Sequence, residues 1–481
     1  MRFRYVITIL GKLYIILGLF LLLPMAISLY NHDGATASFL ISIAISIGFG
    51  ILLQIQRPDR ILIERRESVG IIVFGWLTVS LIGALPFCLS GYFHNFLDAF
   101  FESVSGFTTT GASILDDIEA LPASLLVWRS LTHWIGGMGI VILALVVLPA
   151  INIGGRNLYN FESSSIAQEQ ITPKIKDTAR LLWIVYLILT AAETILLLAG
   201  GLSIFDASLT AMGTIPTGGF SPRNASIAAY DSLYVEIIVV IFMILSGINF
   251  SLYFRLYKRN KTVRNFAEIL KFYFIIMGIA VLIVVFDLRL HTYPNWGESL
   301  RYGIFQVVSI NTTSGFITAD YQQWRPVTQV VLLILMFIGA CPGSTTGAIK
   351  NSRILLLGKS IYRELIQMLH PRAVHKIQIN NKVIDDSTIQ NALVYIGMYI
   401  GFFFLATLLM VVSGMDQETS IYSVATTLGG VGPGLGVTGP VHSFSVLPAY
   451  NKLILIACML FGRLEFYSIF LLFIPKFWRR V

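Results

Sequence analysis

Four short stretches place glycine and hydroxyl-bearing or other small residues at a fixed distance behind a helix-compatible run. Asp98 to Gly111 aligns without a gap with Asp206 to Gly219, Tyr302 to Gly315 and Ile421 to Gly434. Before the closing glycines stand Thr109 and Thr110, Thr217 and Gly218, Thr313 and Ser314, and Gly432 and Pro433. These residue types leave backbone carbonyls accessible. Glycine adopts the positive φ that turns consecutive carbonyls toward one axis, and the end of a helix adds partial negative charge. The chemistry on offer is coordination of a dehydrated cation by a ring of oxygens. Its expected ligands are the backbone and hydroxyl groups of Thr110, Gly111, Gly218, Gly219, Ser314, Gly315, Pro433 and Gly434. Close helix packing through small residues would explain one such copy, but not four in register.

The elements that must position these residues follow from length. About ten residues of helix precede each glycine, or about 15 Å at 1.5 Å per residue, which is half of a ~30 Å hydrocarbon core. Helices that stop midway leave carbonyls without partners, and lipid tolerates that only where the backbone is buried or lines a watery cavity. The sequence therefore predicts four pore helices whose ends meet.

The rest of the chain supplies the frame. It has 481 residues, 56% of them apolar and 12% charged, with a mean hydropathy of +0.76, which excludes a soluble multidomain enzyme. The net charge of +8 does not point to nucleic acid, because Lys and Arg cluster between apolar spans. Such spans fall near 8–29, 37–56, 69–91, 128–150, 179–201, 232–256, 266–288, 326–356, 390–413 and 449–475. The reading is an all-α polytopic membrane protein: an N-terminal transmembrane helix pair (1–66), then four parallel helix–pore loop–helix repeats around a central pore. The repeats occupy 67–155, 156–260, 261–358 and 389–481, with a cytoplasmic connection over 359–388. Basic blocks at Arg57 to Arg66, Arg156 to Arg180, Arg255 to Lys271, Arg353 to Lys382 and Lys476 to Arg480 share one side, whereas Glu67 through Trp128 and Gln417 through Asn451 contain no Lys or Arg. That side is expected to be cytoplasmic, with both termini on it. Parallel repeats favour a central pore over the inverted repeats of many carriers.

Second-tier features sit around this plan. The stretch GACPGSTTGAIK, 339–350, interrupts a span with Pro342 and with Gly339, Gly343 and Gly347. It is read as a flexible intramembrane segment below the ring, ending at Lys350, with a glycine packing face as the alternative. Arg463 lies inside the last span, where an ionisable group faces a cavity or a partner. Glu465, two residues on, does not share its face. KIQINNKVIDD, 376–386, reads as a short hairpin with an Asn-rich turn. His133 is expected to pack among glycines, and Cys88, Cys341 and Cys458 form no paired spacing. No HExxH, GxSxG or paired-carboxylate motif marks an enzyme.

With SGFTTTGAS, PTGGFS, NTTSGF, GVGPGLG, THWIGGMGIVIL and GRLEFY, the whole chain resembles the TrkH family, the membrane subunits of bacterial Trk potassium-uptake systems, within a superfamily shared with Ktr and plant HKT proteins. The resemblance implies potassium as the transported ion, with sodium or rubidium as alternatives, and no covalent cofactor. It also implies a homodimer in the bacterial inner membrane and a cytosolic nucleotide-binding regulatory subunit of the TrkA type. The family's filter glycines carry over onto Gly111, Gly219, Gly315 and Gly434, its gating loop onto Gly339 to Lys350, and its pore arginine onto Arg463. The function it implies is gated potassium uptake through a selectivity filter. The alternative is a proton- or sodium-coupled potassium symporter working by alternating access.

Overall fold

Lipid offers no partner to an unpaired N–H or C=O, so the apolar runs fold as helices and every break in them must be repaired by protein. A computed structural model describes residues 3–55, 65–139, 175–257, 267–372, 375–380 and 382–478. The expected basic stretches 57–64, 156–174 and 258–266, the end of the fourth span, Asn381, Arg2 and Arg480 lie outside the described residues.

The N-terminal pair is α1 (Phe3–Phe20), continued by α2 (Leu22–Asn31), and α3 (Thr36–Leu52), with α1 packed on α3. Repeat one comprises α4 (Arg65–Gly83) with its short extension α5 (Leu85–Leu89), pore helix α6 (Phe96–Phe107) and α7 (Ala123–Gly137). Repeat two comprises α8 (Ile175–Ala199), pore helix α9 (Ile204–Thr214), α10 (Leu233–Ser246) and α11 (Phe250–Tyr257). In repeat three, α12 (Ala267–His291) and pore helix α13 (Trp296–Asn311) are followed by α14 (Pro326–Phe337), the interrupting loop and α15 (Asn351–Leu369). Repeat four comprises α16 (Asp386–Val412), pore helix α17 (Gln417–Gly429) and α18 (Ala449–Leu472), with α19 (Pro475–Trp478) at its end.

The packing is cyclic. The second helix of each repeat lies on the pore helix of the next: α7 on α9, α10 on α13, α14 on α17, and α18 back on α6. Among the described residues, six segments are long and apolar enough to cross a bilayer alone, and a seventh if α10 and α11 count as one bent span. The other expected spans fall short for visible reasons: α3 has 17 residues, α7 is described only in part, and the eighth span is interrupted where glycine and proline predict it.

The sixth span corrects an expectation. Read as continuous over 232–256, it bends by 90° between α10 and α11. The break repairs itself against the interrupted span. Cys341 N donates to Gly247 O at 3.0 Å, and Phe250 N donates to Gly343 O at 3.1 Å. The neck of the 339–350 loop is closed by a two-residue parallel bridge, β1 (Ile338–Gly339) against β2 (Ile349–Lys350). After the loop, α15 runs on to Leu369 before the expected hairpin forms from β3 (Gln378–Ile379) and β4 (Lys382–Val383).

In the last span, Glu465 adopts φ 51° and ψ 124° and kinks α18. Its carboxylate meets Arg353 at 2.8 Å, and Arg353 lies 3.7 Å over the Tyr395 ring. Arg353 is buried and Glu465 half-buried, so breaking the pair strands a partly desolvated charge, with about 3–5 kcal/mol as the upper bound set by fully buried pairs. Arg353→Ala is therefore expected to lower the thermal unfolding midpoint of the purified protein clearly. An unchanged midpoint would mean that the pair does not hold the kink.

Candidate ion-conduction site

Three of the four pore helices start on a side-chain cap of the same kind: Asn95 accepts from Asp98 N at 2.9 Å, Ser203 from Asp206 N at 3.0 Å, and Asp416 from Thr419 N at 2.9 Å. All four end alike. A residue in the left-handed region closes each helix: Thr109 (φ 54°), Thr217 (φ 56°), Thr313 (φ 53°) and Gly430 (φ 69°). The next amide reaches back five residues, Thr110 to Ser105, Gly218 to Gly213, Ser314 to Ser309 and Val431 to Thr426, at 2.8–3.0 Å. This C-terminal motif satisfies the last helical carbonyls and leaves the carbonyls that follow free to point elsewhere. A β-branched residue with positive φ is strained, by about 1–2 kcal/mol, and such strain concentrates at functional sites.

The next position closes a ring. Gly111, Gly219, Gly315 and Gly432 have φ of 83°, 80°, 70° and 104°, and each lies against a carbonyl of the neighbouring repeat. A Cβ built on Gly111 would sit 2.1 Å from Gly218 O, on Gly219 1.9 Å from Ser314 O, on Gly315 1.8 Å from Val431 O, and on Gly432 2.8 Å from Thr110 O. The contacts run from repeat one to two, three, four and back to one. Four backbone carbonyls, of Thr110, Gly218, Ser314 and Val431, thus surround one axis. The expected positions Thr110, Gly111, Gly218, Gly219, Ser314 and Gly315 come together there.

The fourth copy stands two residues earlier than the sequence alignment puts it. Pro433 and Gly434 lie beyond the ring: the Tyr321 hydroxyl donates to both their carbonyls, at 3.2 and 3.1 Å, and Thr426 Oγ1 donates to Pro433 O at 3.0 Å. Val431 and Gly432 occupy the ring instead. The signal for this register is the cap, since Asp416 precedes Gly432 by the same sixteen residues that separate Asn95 from Gly111 and Ser203 from Gly219.

Above the ring, the four ring glycines share the wall of an open cavity of about 830 Å³ with Asp116, Arg223 and Asp416. Hydrogen bonds from Ser443 and Ser445 hold the Asp116 carboxyl below its ordinary value, and the amide of Thr419 does the same for Asp416. Asp206 binds Arg223 at 2.9 Å, so Arg223 is paired at this mouth.

Below the ring lies the 339–350 loop. Its Thr345 hydroxyl donates to Ile215 O at 3.0 Å and meets the Thr217 hydroxyl at 3.3 Å. Gly347 N donates to Thr313 Oγ1 at 2.9 Å, and a Cβ on Gly347 would stand 2.3 Å from Gly429 O. The loop therefore touches pore helices two, three and four. Arg463 extends the contact to repeat one, with Nη1 on Thr345 O at 2.9 Å and Nη2 on Gly136 O at 2.8 Å. Lys350 folds back onto its own loop, with Nζ 2.5 Å from Thr346 O. Gly339 lies in the neck, and Gly343 (φ 77°) packs on Asn249.

The family model TrkH, described as a cation transport protein, matches residues 35–480. The chain belongs to the TrkH family. The Trk system potassium uptake protein TrkH of Halomonas elongata is 35% identical over 485 residues, and that of Escherichia coli K12 is 36% identical over 490 residues, each alignment covering both chains completely. The crystal structure of the potassium transporter TrkH from Vibrio parahaemolyticus superposes with a TM-score of 0.88 at 33% identity over the whole of both chains. These relatives are transport proteins, not enzymes.

In this TrkH-family chain His133 packs among glycines as expected, against Gly106 and Gly218, whereas one ion pair escapes sequence reasoning. His133 is fully buried, stacked on Phe220 at 3.9 Å with Nδ1 2.8 Å from Gly106 O. Glu102 and Arg129 form a buried ion pair at 2.6 Å behind the ring. The pair has no local motif, because its two side chains come from separate helices, 27 residues apart.

The register makes a direct prediction. Gly432→Ala forces a side chain into positive φ beside Thr110 O and should cut rubidium uptake at least about tenfold, the equivalent of ~1.4 kcal/mol. Gly434→Ala, outside the ring, should stay within about twofold, well under that step. Tracer uptake by equal amounts of folded protein checks it, and the opposite ranking would restore the register read from sequence.

Proposed function

We propose that this protein carries potassium across the bacterial cytoplasmic membrane through the four-carbonyl ring, down its electrochemical gradient. The observation that carries the reading is the cyclic contact of each ring glycine with the next repeat's carbonyl, because a closed ring of backbone oxygens can replace the hydration shell of a monovalent cation. In this reading Thr110, Gly111, Gly218, Gly219, Ser314, Gly315, Val431 and Gly432 form the filter. Both termini are cytoplasmic, and the pore helices enter from outside. The potassium-uptake names of the full-length relatives support the substrate.

The loop and Arg463 form the gate. A guanidinium ~4 Å from a passing cation repels it by about 1 to 4 kcal/mol for dielectrics between bulk water and a protein surface. Here Arg463 also latches the loop to repeat one through two separate nitrogens, a fork that lysine cannot copy. Release of the latch is assigned to a cytosolic nucleotide-binding subunit of the TrkA type acting on a homodimer, through the α15 and hairpin surface that continues from the loop.

Proteoliposomes test the function. Rubidium uptake driven by membrane potential alone, and competed more strongly by potassium than by sodium, is expected. Uptake that requires a proton or sodium gradient would favour the coupled symporter instead.

The gate predicts that Arg463→Ala raises flux per folded transporter by roughly five- to several hundredfold, following the barrier above. Arg463→Lys should fall between the alanine variant and wild type, and deletion of 343–347 should also raise flux. Alanine flux at or below the wild-type value would contradict a barrier.

A further inference from the structure

Behind the ring, each pore helix carries a polar residue nine positions before its ring glycine: Glu102, Thr210, Gln306 and Ser423. All four are buried. Three of them reach the chain segment that leaves the ring. Glu102 accepts from Ile114 N at 2.8 Å and from Ser113 Oγ at 3.0 Å, Gln306 Nε2 donates to Thr318 Oγ1 at 3.4 Å, and Ser423 meets Thr438 Oγ1 at 2.7 Å. Thr210 Oγ1 meets the Tyr230 hydroxyl at 3.5 Å. The position is a strut that fixes the distance between a pore helix and its outgoing limb.

Repeat one differs in chemistry. Its strut is a carboxylate with no exposed surface, paired with an Arg129 side chain that is 2% exposed. Arg129 does not stop at Glu102. Its Nη1 donates to Ser221 O at 2.8 Å, two residues beyond ring glycine Gly219, and its guanidinium lies 3.6 Å over the ring of Phe220. One continuous chain of contacts therefore runs from the outgoing limb of repeat one (Ser113, Ile114) through Glu102 and Arg129 to the outgoing limb of repeat two (Phe220, Ser221).

We propose that the buried Glu102–Arg129 pair is a specificity-determining tie, which sets the spacing of the first two filter limbs and thereby the discrimination between potassium and smaller monovalent cations. The proposal rests on the reading of the ring as a potassium filter. Neither residue contributes a carbonyl to the ring, so both are positioning residues. The argument is geometric: an ion pair that is shielded from water holds its length more stiffly than a neutral hydrogen bond, because its charge-assisted bonds are roughly twice as strong. It spans two repeats, whereas the struts of repeats three and four stay within their own repeat.

The test uses the full-length protein in liposomes, with rubidium uptake competed by sodium or potassium. Glu102→Gln keeps the size of the side chain and an acceptor for Ile114 N, and gives repeat one the residue that repeat three already has. Its folded, monodisperse fraction is expected to lose about tenfold in potassium-over-sodium preference, in line with the loss of one charge-assisted bond, while total monovalent flux stays at or above wild type. Glu102→Gln with Arg129→Met removes the unpaired buried charge, so it should recover thermal stability without recovering the preference. Glu102→Asp, which keeps the charge but shortens the reach, should fall between. A wild-type preference in folded Glu102→Gln, or its return together with stability in the double variant, would overturn the tie and leave a purely structural pair. If the wild type itself shows no preference, the potassium-filter reading fails instead, which the same experiment reports separately.

Discussion

Everything in this fold answers to one constraint, that a backbone carbonyl inside a bilayer must have a partner supplied by protein or ion. The four pore helices stop partway through the membrane and satisfy their own last carbonyls by turning once through the left-handed region and reaching back five residues. That turn leaves the carbonyls of Thr110, Gly218, Ser314 and Val431 without a helical donor. Glycine at the following position lets neighbouring repeats approach until these oxygens form a ring. The long helices around them serve mainly to hold four such ends in cyclic order.

The same constraint explains the two broken spans. The bend at Gly247 to Asn249 and the loop after Ile338 each expose backbone groups at depth, and they satisfy one another through Cys341 and Phe250. The loop is thus tied on one side to a structural break and on the other to the undersides of the pore helices. Its contacts there are few and largely through hydroxyls, from Thr217, Thr313 and Thr345. A segment held there by a few exchangeable hydrogen bonds and the Arg463 side chain can leave its site at low cost.

Much of this was legible in the sequence. Apolar length marked the spans, glycine and proline marked the interruption at 339–350, and the recurring glycine-terminated stretches marked the ring in three repeats. The fourth was misplaced by two residues because GGVGPGLG offers several glycines at suitable distances, and only the cap at Asp416, which counts from the start of the helix, fixes which one closes the ring. The 90° break near Gly247 gave no comparable signal, since its unpaired groups are satisfied by a loop about ninety residues away. Glu102 with Arg129 was hidden for the same reason, as tertiary pairing leaves no local periodicity. Arg463 and Glu465 were recognised as intramembrane charges, and their separation into a latch and a kink-holding pair follows from the turn of the helix between them.

The central claim is that Val431 and Gly432, rather than Pro433 and Gly434, complete the ring and that the ring binds the ion. Anomalous diffraction from crystals soaked in rubidium tests it most directly. The account predicts a peak on the pore axis, equidistant from the carbonyl oxygens of Thr110, Gly218, Ser314 and Val431. A peak centred instead on the carbonyls of Pro433 or Gly434, or none on the axis while rubidium occupies other sites, would contradict it.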